Sequence, residues 1–181
     1  MDFVDIPSWD QYFMTMAYLT PSRSKDDSTR IGAVIVGPDN EIRSMGYNSF
    51  PRGIDDYRIE RYQRPEKYFW MEHAERNAIY NASRIGVSTK GCRIYTQGTE
   101  GTPCTECCRG IIQSGITEVI VHAVPELEDD PVVLKRRQKW LEEAIRAKEM
   151  LKEAKVDLRI YSGPIISRVT GLYAGKTVEF D

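Results

Sequence analysis

The feature that most constrains this chain is a change of hydrophobic period near residue 31. Before it, Trp9, Phe13, Met16, Ala17 and Leu19 fall near helical spacing, and the polar run TPSRSKDDST ends that helix. After it, IGAVIV (31–36) is a short β-branched apolar run, GPDN is turn chemistry and EIRSMGYN returns as a second strand, so 31–48 reads as a hairpin. Strand and helix signals then alternate: a helix from about 72 to 84, a strand CRIYTQ (92–97), a helix TECCRGIIQSG (105–115) stopped by Gly115, and a strand TEVIVHA (117–123). Leu134, Trp140, Leu141, Ala144, Ile145, Ala147, Leu151 and Ala154 lie on or near one stripe of a predicted helix over 133–154, and VDLRIYS (156–162) makes a fifth strand. A hairpin followed by βα units predicts an α/β fold, three-layer α/β/α, with a mixed five-stranded sheet and helices on both faces. Residues 51–71 have no clean period and read as a long connection, while residues 163–181 carry only weak periodicity.

At 181 residues, one domain spanning 1–181 is expected. Twenty-five basic against 27 acidic residues leave a net charge of −2, which provides no general field for a nucleic-acid or anionic-membrane partner. No apolar run approaches the roughly 20 residues of a membrane span, and the acidic start MDFVDIPSWDQ lacks the regions of a signal peptide. Of the four cysteines, Cys104, Cys107 and Cys108 fall within five residues, a spacing that suits metal binding better than a secreted disulfide framework. The expectation is a reduced, intracellular, cytoplasmic protein.

The stretch MEHAERNAIY contains His73, one of only two histidines, two positions before Glu75. In PCTEC, Cys104 and Cys107 are three apart, adjacent on one helical face, and Pro103 suits a helix start. Zinc binds His nitrogen and Cys thiolate tetrahedrally, and a catalytic site leaves a position open for water. His73, Cys104 and Cys107 are therefore the candidate ligands. On a regular helix Glu75 would point about 200° away from His73. At a frayed first turn it faces the open position, where it takes a proton from the activated water and passes it on. Singly these residues have ordinary explanations, since a His near a helix start is commonly a cap or core residue and Cys-x-x-Cys could be a redox pair. Together, H-x-E followed by P-C-x-x-C is the signature of zinc deaminases. Cys108 and Cys92 read as buried structural thiols, and His122, ending the fourth strand, as a supporting or surface group.

On these residues, about 20–123 resemble the deoxycytidylate (dCMP) deaminase family of the zinc-dependent cytidine deaminase-like superfamily. SRSKDDSTRIGAVIVGPDNEIRSMGYNSFPRG resembles its N-terminal block, HAERNAI its first metal motif and TPCTECCRGIIQSGITEVIV its second. The resemblance implies the cytidine deaminase-like fold and hydrolysis of dCMP to dUMP and ammonia, feeding thymidylate synthesis. It implies one zinc on His73, Cys104 and Cys107, with Glu75 as proton shuttle. Asn48 would contact the sugar, and the backbones of Ala74 and Thr102 would border the pyrimidine. Lys25, Arg30 and Arg52, in the matching block, are candidates for the 5′-phosphate. The family also implies homo-oligomers regulated by dCTP and dTTP, with Mg2+ accompanying a triphosphate effector. Gly46, Tyr47, Phe50 and Arg84 are then the candidate effector-linked residues. The chain departs from the family after the fourth strand, where HAVPELEDDP stands in place of a short aromatic-containing segment.

Three rival readings fit the same residues. A tRNA-editing deaminase would share the zinc motif but show a basic face, whereas residues 52–68 hold five basic and four acidic residues. A non-catalytic zinc module would use the ligands as a staple and needs a fourth Cys or His, for which Cys108 is the nearby candidate. The third reading keeps the reaction and changes the substrate to dCTP, a free nucleoside or another aminated ring.

Overall fold

The apolar run at residues 32–36 is buried on both faces, which only a central strand between two layers allows. A computed structural model describes residues 6–98, 101–122, 131–168, 170–173 and 176–179. Helix α1 (Trp9–Leu19) is capped by Ser8, whose Oγ accepts the Gln11 N–H at 3.2 Å, and it runs into a 3-10 turn over Thr20–Arg23 that contains Pro21. Strands β1 (Gly32–Val36) and β2 (Ile42–Tyr47) form the expected antiparallel hairpin. A single turn, α2 (Lys67–Trp70), precedes α3 (Ala74–Ile85), β3 (Arg93–Gln97), α4 (Thr105–Gln113), β4 (Glu118–His122), α5 (Pro131–Glu153) and β5 (Asp157–Tyr161). The sheet order is β2-β1-β3-β4-β5; β3 lies antiparallel to β1, and β4 and β5 continue in parallel.

Residue alternation sorts the core into two layers. Val34, Val36, Tyr95 and Ile120 pack on Phe13, Met14 and Ala17 of α1. Ala33, Ile35, Ile94, Val119 and Val121 face the opposite way, onto Ala74 and Ala78 of α3, Cys108 and Ile111 of α4, and Ala147 and Leu151 of α5. The three-layer architecture and mixed five-stranded sheet are as the sequence predicts. β2 approaches α3 so closely that a Cβ on Gly46 would stand 2.3 Å from Ala78 N and 2.5 Å from Ala74 O, which only glycine permits.

Three expectations are corrected. The helix expected from about 72 starts at Ala74, because His73 is extended (φ −78°, ψ 156°) and serves as its N-terminal boundary. The α5 stripe is buried only in its second half: Ala144, Ala147 and Leu151 are covered, whereas Leu134, Leu141 and Ile145 are exposed. The weakly periodic tail forms a separate two-stranded sheet, β6 (Thr170–Tyr173) with β7 (Lys176–Glu179). The departure after the fourth strand falls largely on residues 123–130, outside the described residues. Among the described residues no helix is long and apolar enough to cross a membrane.

Candidate metal centre and active site

Two helices aim their N-termini at one point. His73 occupies the boundary position of α3, and Cys104 holds the equivalent position on α4 with φ −65° and ψ 163°. Extended backbone at both positions turns the side chains back over the first helical turn. His73 Nδ1 lies 3.3 Å from Cys104 Sγ and 3.5 Å from Cys107 Sγ, and all three ligand atoms lie within 4.8 Å of one another. Tetrahedral zinc with ordinary bond lengths separates its sulfur and nitrogen ligands by about 3.6 Å, so the donor set fits. His73 is exposed, Cys104 half-buried and Cys107 buried, which leaves the histidine side open. The positive ends of both helices favour thiolates here.

Glu75 belongs to the first turn of α3, and because His73 precedes that helix the two side chains are not held on opposite faces. Glu75 is 5% exposed, and its Oε2 sits 3.5 Å from Cys107 Sγ. Burial pushes its carboxyl above the usual range, against the attraction of His73. The Cys107 thiol beside Cys104 holds Cys104 well below the usual thiol range, with His73 adding to the effect; Cys107 in turn is pushed up by that neighbour and by burial. The pair parts readily with one proton and resists losing the second, a balance that a cation would tip. Cys104 raises the imidazole of His73, against burial. Cys108 turns away, its Sγ 3.6 Å from the Pro103 carbonyl, and burial pushes it up to about 12. Among the described residues the metal-competent group has three members, with Cys108 outside it.

Asn48, just past β2, is tied to this centre by backbone. Ser49 and Glu72 exchange hydrogen bonds of 3.1 and 2.8 Å, so the chain beside Asn48 runs antiparallel to the residue preceding His73. Asn77 of α3 adds a side-chain bond to the Tyr47 carbonyl. Ala74 and Thr102 are buried beside their ligand neighbours. The basic candidates are engaged elsewhere: Lys25 pairs with Asp56 at 2.9 Å and lies over the Tyr57 ring, Arg30 Nε donates to the Asp26 carbonyl, and Arg52 donates to Asn81. Of the effector candidates, Gly46 is pressed against α3, and Phe50 stacks on Tyr62 with centroids 4.5 Å apart. Tyr47 and Phe50 line a small recess together with Lys25, Asp26 and Asn48. Arg84 is exposed in the last turn of α3, about 16 Å along the helix from His73.

Sequence reasoning missed four supporting residues. Arg76 bonds Glu72, in the extended segment just before α3, and Glu106 on α4, clamping the two ligand-bearing ends together. Glu143 of α5 accepts both N–H and Oγ–H of Thr105, at 3.1 and 3.0 Å, and so satisfies an orphan donor at the start of α4. Lys67 and Asp26 form a buried pair beside Asn48. These partners are 22 to 41 residues apart or carry no motif; only the i,i+4 spacing of Glu72 and Arg76 was readable. His122, by contrast, is buried between Tyr18 and Tyr161, bonded to Tyr18 Oη and the Gly163 carbonyl, on the α1 side of the sheet.

Comparison with known proteins agrees with this arrangement. A family described as the cytidine and deoxycytidylate deaminase zinc-binding region matches residues 7–123, and the chain belongs to that family. It is similar to a deoxycytidylate deaminase of Mus musculus, 42% identical over 121 residues that cover 64% of this chain and 65% of that protein. The match thus spans just under two thirds of that relative's length. An Aliivibrio fischeri protein described as an uncharacterized deaminase is 36% identical over 153 residues, covering 84% of this chain and 93% of its own. The fold is shared with the dCMP deaminase of cyanophage S-TIM5 in complex with dCMP and dUMP, at TM-score 0.62 and 20% identity, over 87% of this chain and 100% of that one.

Proposed function

We propose that this protein is a zinc-dependent deaminase that hydrolyses dCMP to dUMP and ammonia. The observation that carries the reading is a buried carboxylate, Glu75, 3.5 Å from one member of a three-ligand group. A purely structural zinc site is closed by four protein ligands and has no use for that carboxylate. Deoxycytidylate deaminases among the relatives support the substrate.

His73, Cys104 and Cys107 would hold the zinc, which when bound would supply an activated water at neutral pH. Glu75 accepts the proton released as the water oxygen adds to C4 and delivers it to N3. It then carries a further proton to the amino group, which leaves as ammonia while the C4 carbonyl forms. The raised affinity of a buried carboxyl for protons suits a group that must both take and return them. Ala74 and Thr102 wall the ring, and Asn48 meets the sugar. Lys25, Arg30 and Arg52 are the candidates for the phosphate, which would have to draw them from their present partners.

The deciding experiment supplies cytidine, deoxycytidine, CMP, dCMP, dCTP and guanine to purified protein and measures ammonia. Release is fastest from dCMP; a clear preference for unphosphorylated compounds overturns the substrate assignment. We infer a homo-oligomer as well, supported by the exposed Leu134, Leu141 and Ile145 on α5, which a second copy would cover. Control by dCTP and dTTP, with Mg2+, rests on the resemblance around GYNSFPRG. Rates at subsaturating dCMP with and without each triphosphate test this, and unchanged curves refute it. A cytoplasmic location fits the reading.

A further inference from the structure

Asn48 is held on every side. Its backbone N–H donates to the Ile31 carbonyl at 3.1 Å, and its carbonyl accepts from Ser24 Oγ at 2.7 Å. The side-chain Oδ1 accepts the Ile31 N–H at 2.8 Å, while Nδ2 donates to Asp26 Oδ2 at 3.0 Å and to the Thr29 carbonyl at 2.9 Å. A flipped amide would set its NH2 against a donor and its oxygen against two acceptors, so the orientation is fixed by its partners. Both amide protons are consumed. The only side-chain capacity left is the second lone pair of Oδ1, and the Asn48 side chain can therefore offer a ligand an acceptor and nothing else. That suits a hydroxyl and rejects a phosphate oxygen.

What fixes the amide is Asp26, and what fixes Asp26 is Lys67. Asp26 Oδ1 accepts from Ser28 N, Ser28 Oγ and Thr29 N, and Lys67 Nζ sits 2.5 Å from Oδ2 and 2.8 Å from Ser28 Oγ. The Asp26 and Lys67 side chains are only 1% and 10% exposed. A carboxylate buried this far requires a partner, and removing one member leaves an uncompensated charge. Lys67 starts α2 at the far end of the long connection, so that connection reaches back to the sugar side of the site through one ammonium group.

We propose that Lys67 and Asp26 are positioning residues that aim the free acceptor of Asn48 at the sugar hydroxyl of the substrate, so that hydroxyl recognition depends on the 51–71 connection. The inference rests on the deaminase reading and on Asn48 as the sugar contact. Without Lys67, Asp26 must take a proton or admit water, and either change releases the amide from its single orientation.

The test measures kcat and KM of the zinc-loaded protein for dCMP and for its 3′-deoxy analogue, in wild type, Lys67→Met, Asn48→Ala and the double variant. The wild type should favour dCMP by about tenfold, the worth of one hydrogen bond. In Lys67→Met the preference should fall to within about twofold, through KM, with zinc content unchanged; the double variant should show no further loss. A Lys67→Met/Asp26→Asn protein, with the pair neutral, should give the same loss and serves if the single variant folds poorly. Full preference in a folded Lys67 variant overturns the inference and leaves the deaminase reading standing. No preference in the wild type overturns the sugar contact and this inference with it, and no ammonia from any substrate overturns the function itself.

Discussion

Glu75 Oε2 and Cys107 Sγ lie 3.5 Å apart across the gap between α3 and α4, although 32 positions separate them in the chain. A carboxylate so placed sits against the ligand group without belonging to it, and its removal should separate chemistry from metal binding. In Glu75→Gln the shape is kept while proton transfer is lost. Zinc content and melting temperature should hold, and ammonia release should drop by more than the roughly 10²–10⁴-fold of one acid–base group, because this one serves successive transfers. If Glu75 were only a helix-start charge, the variant would lose about 0.3–1 kcal/mol and little rate. Near-normal turnover in zinc-loaded Glu75→Gln would sink the mechanism.

The two neighbouring cysteines should behave oppositely. Cys107→Ala and Cys104→Ala each remove a ligand and should abolish both zinc and activity, as elemental analysis would show. Cys108→Ala deletes a thiol packed among Ala74, Ala78 and Ile111 and should keep its zinc while losing about 1–2 kcal/mol of stability. Zinc loss in Cys108→Ala would place that thiol in the site.

An acid-sensitive tie joins α1 to β5. Arg159 grips Asp10 with contacts of 2.6 and 2.9 Å, Tyr95 Oη donates to it at 2.8 Å, and Arg159 above all holds the carboxyl below its usual range. A depressed folded pKa stabilises above the unfolded value of about 3.9 and ceases to do so as pH falls through the folded value. Solvent screening keeps the contribution near 1 kcal/mol, since Arg159 is 41% exposed. Asp10→Asn should therefore melt lower than wild type at pH 7, with the gap closing as pH falls below the unfolded value of about 3.9. A gap that widened in acid would contradict the assignment.

Gly46→Ala should be among the most damaging single-methyl changes, because the added carbon meets backbone atoms of α3 that cannot rotate aside. Overpacking of this kind costs about 1–3 kcal/mol. Denaturant melts should show the loss, and zinc affinity should fall with it as α3 is pushed off the strand. Wild-type stability and affinity would mean that α3 shifts without cost.

Much of this was readable because burial imposes period. The run 31–36 and the stretch 92–97 alternate between two cores, and the motifs HAE and PCTEC sit where strand gives way to helix. The candidate ligand group was legible too, because His73, Cys104 and Cys107 stand in motifs that the fold brings together. What escaped has physical reasons. Residues 170–173 and 176–179 pair as a small two-stranded sheet apart from the main one, with no long apolar face to announce them. Lys67 and Asp26 look like solvated charges, and only a chain path that brings positions 41 apart together makes them a buried pair. The geometry of Glu75 depended on a single residue, His73, being extended and not helical.

The bridge between Ser49 and Glu72 bears on how proteins of this fold can diversify. The connection between them leaves and returns at adjacent points, so it behaves as a cassette whose length and composition can be exchanged while the reactive centre keeps its dimensions. Two threads run from the cassette into the machinery, Lys67 to Asp26 and Asp56 to Lys25. Loop engineering that preserves Lys67, Asp56 and Arg52 should be able to refashion the pocket's rim without retuning its chemistry.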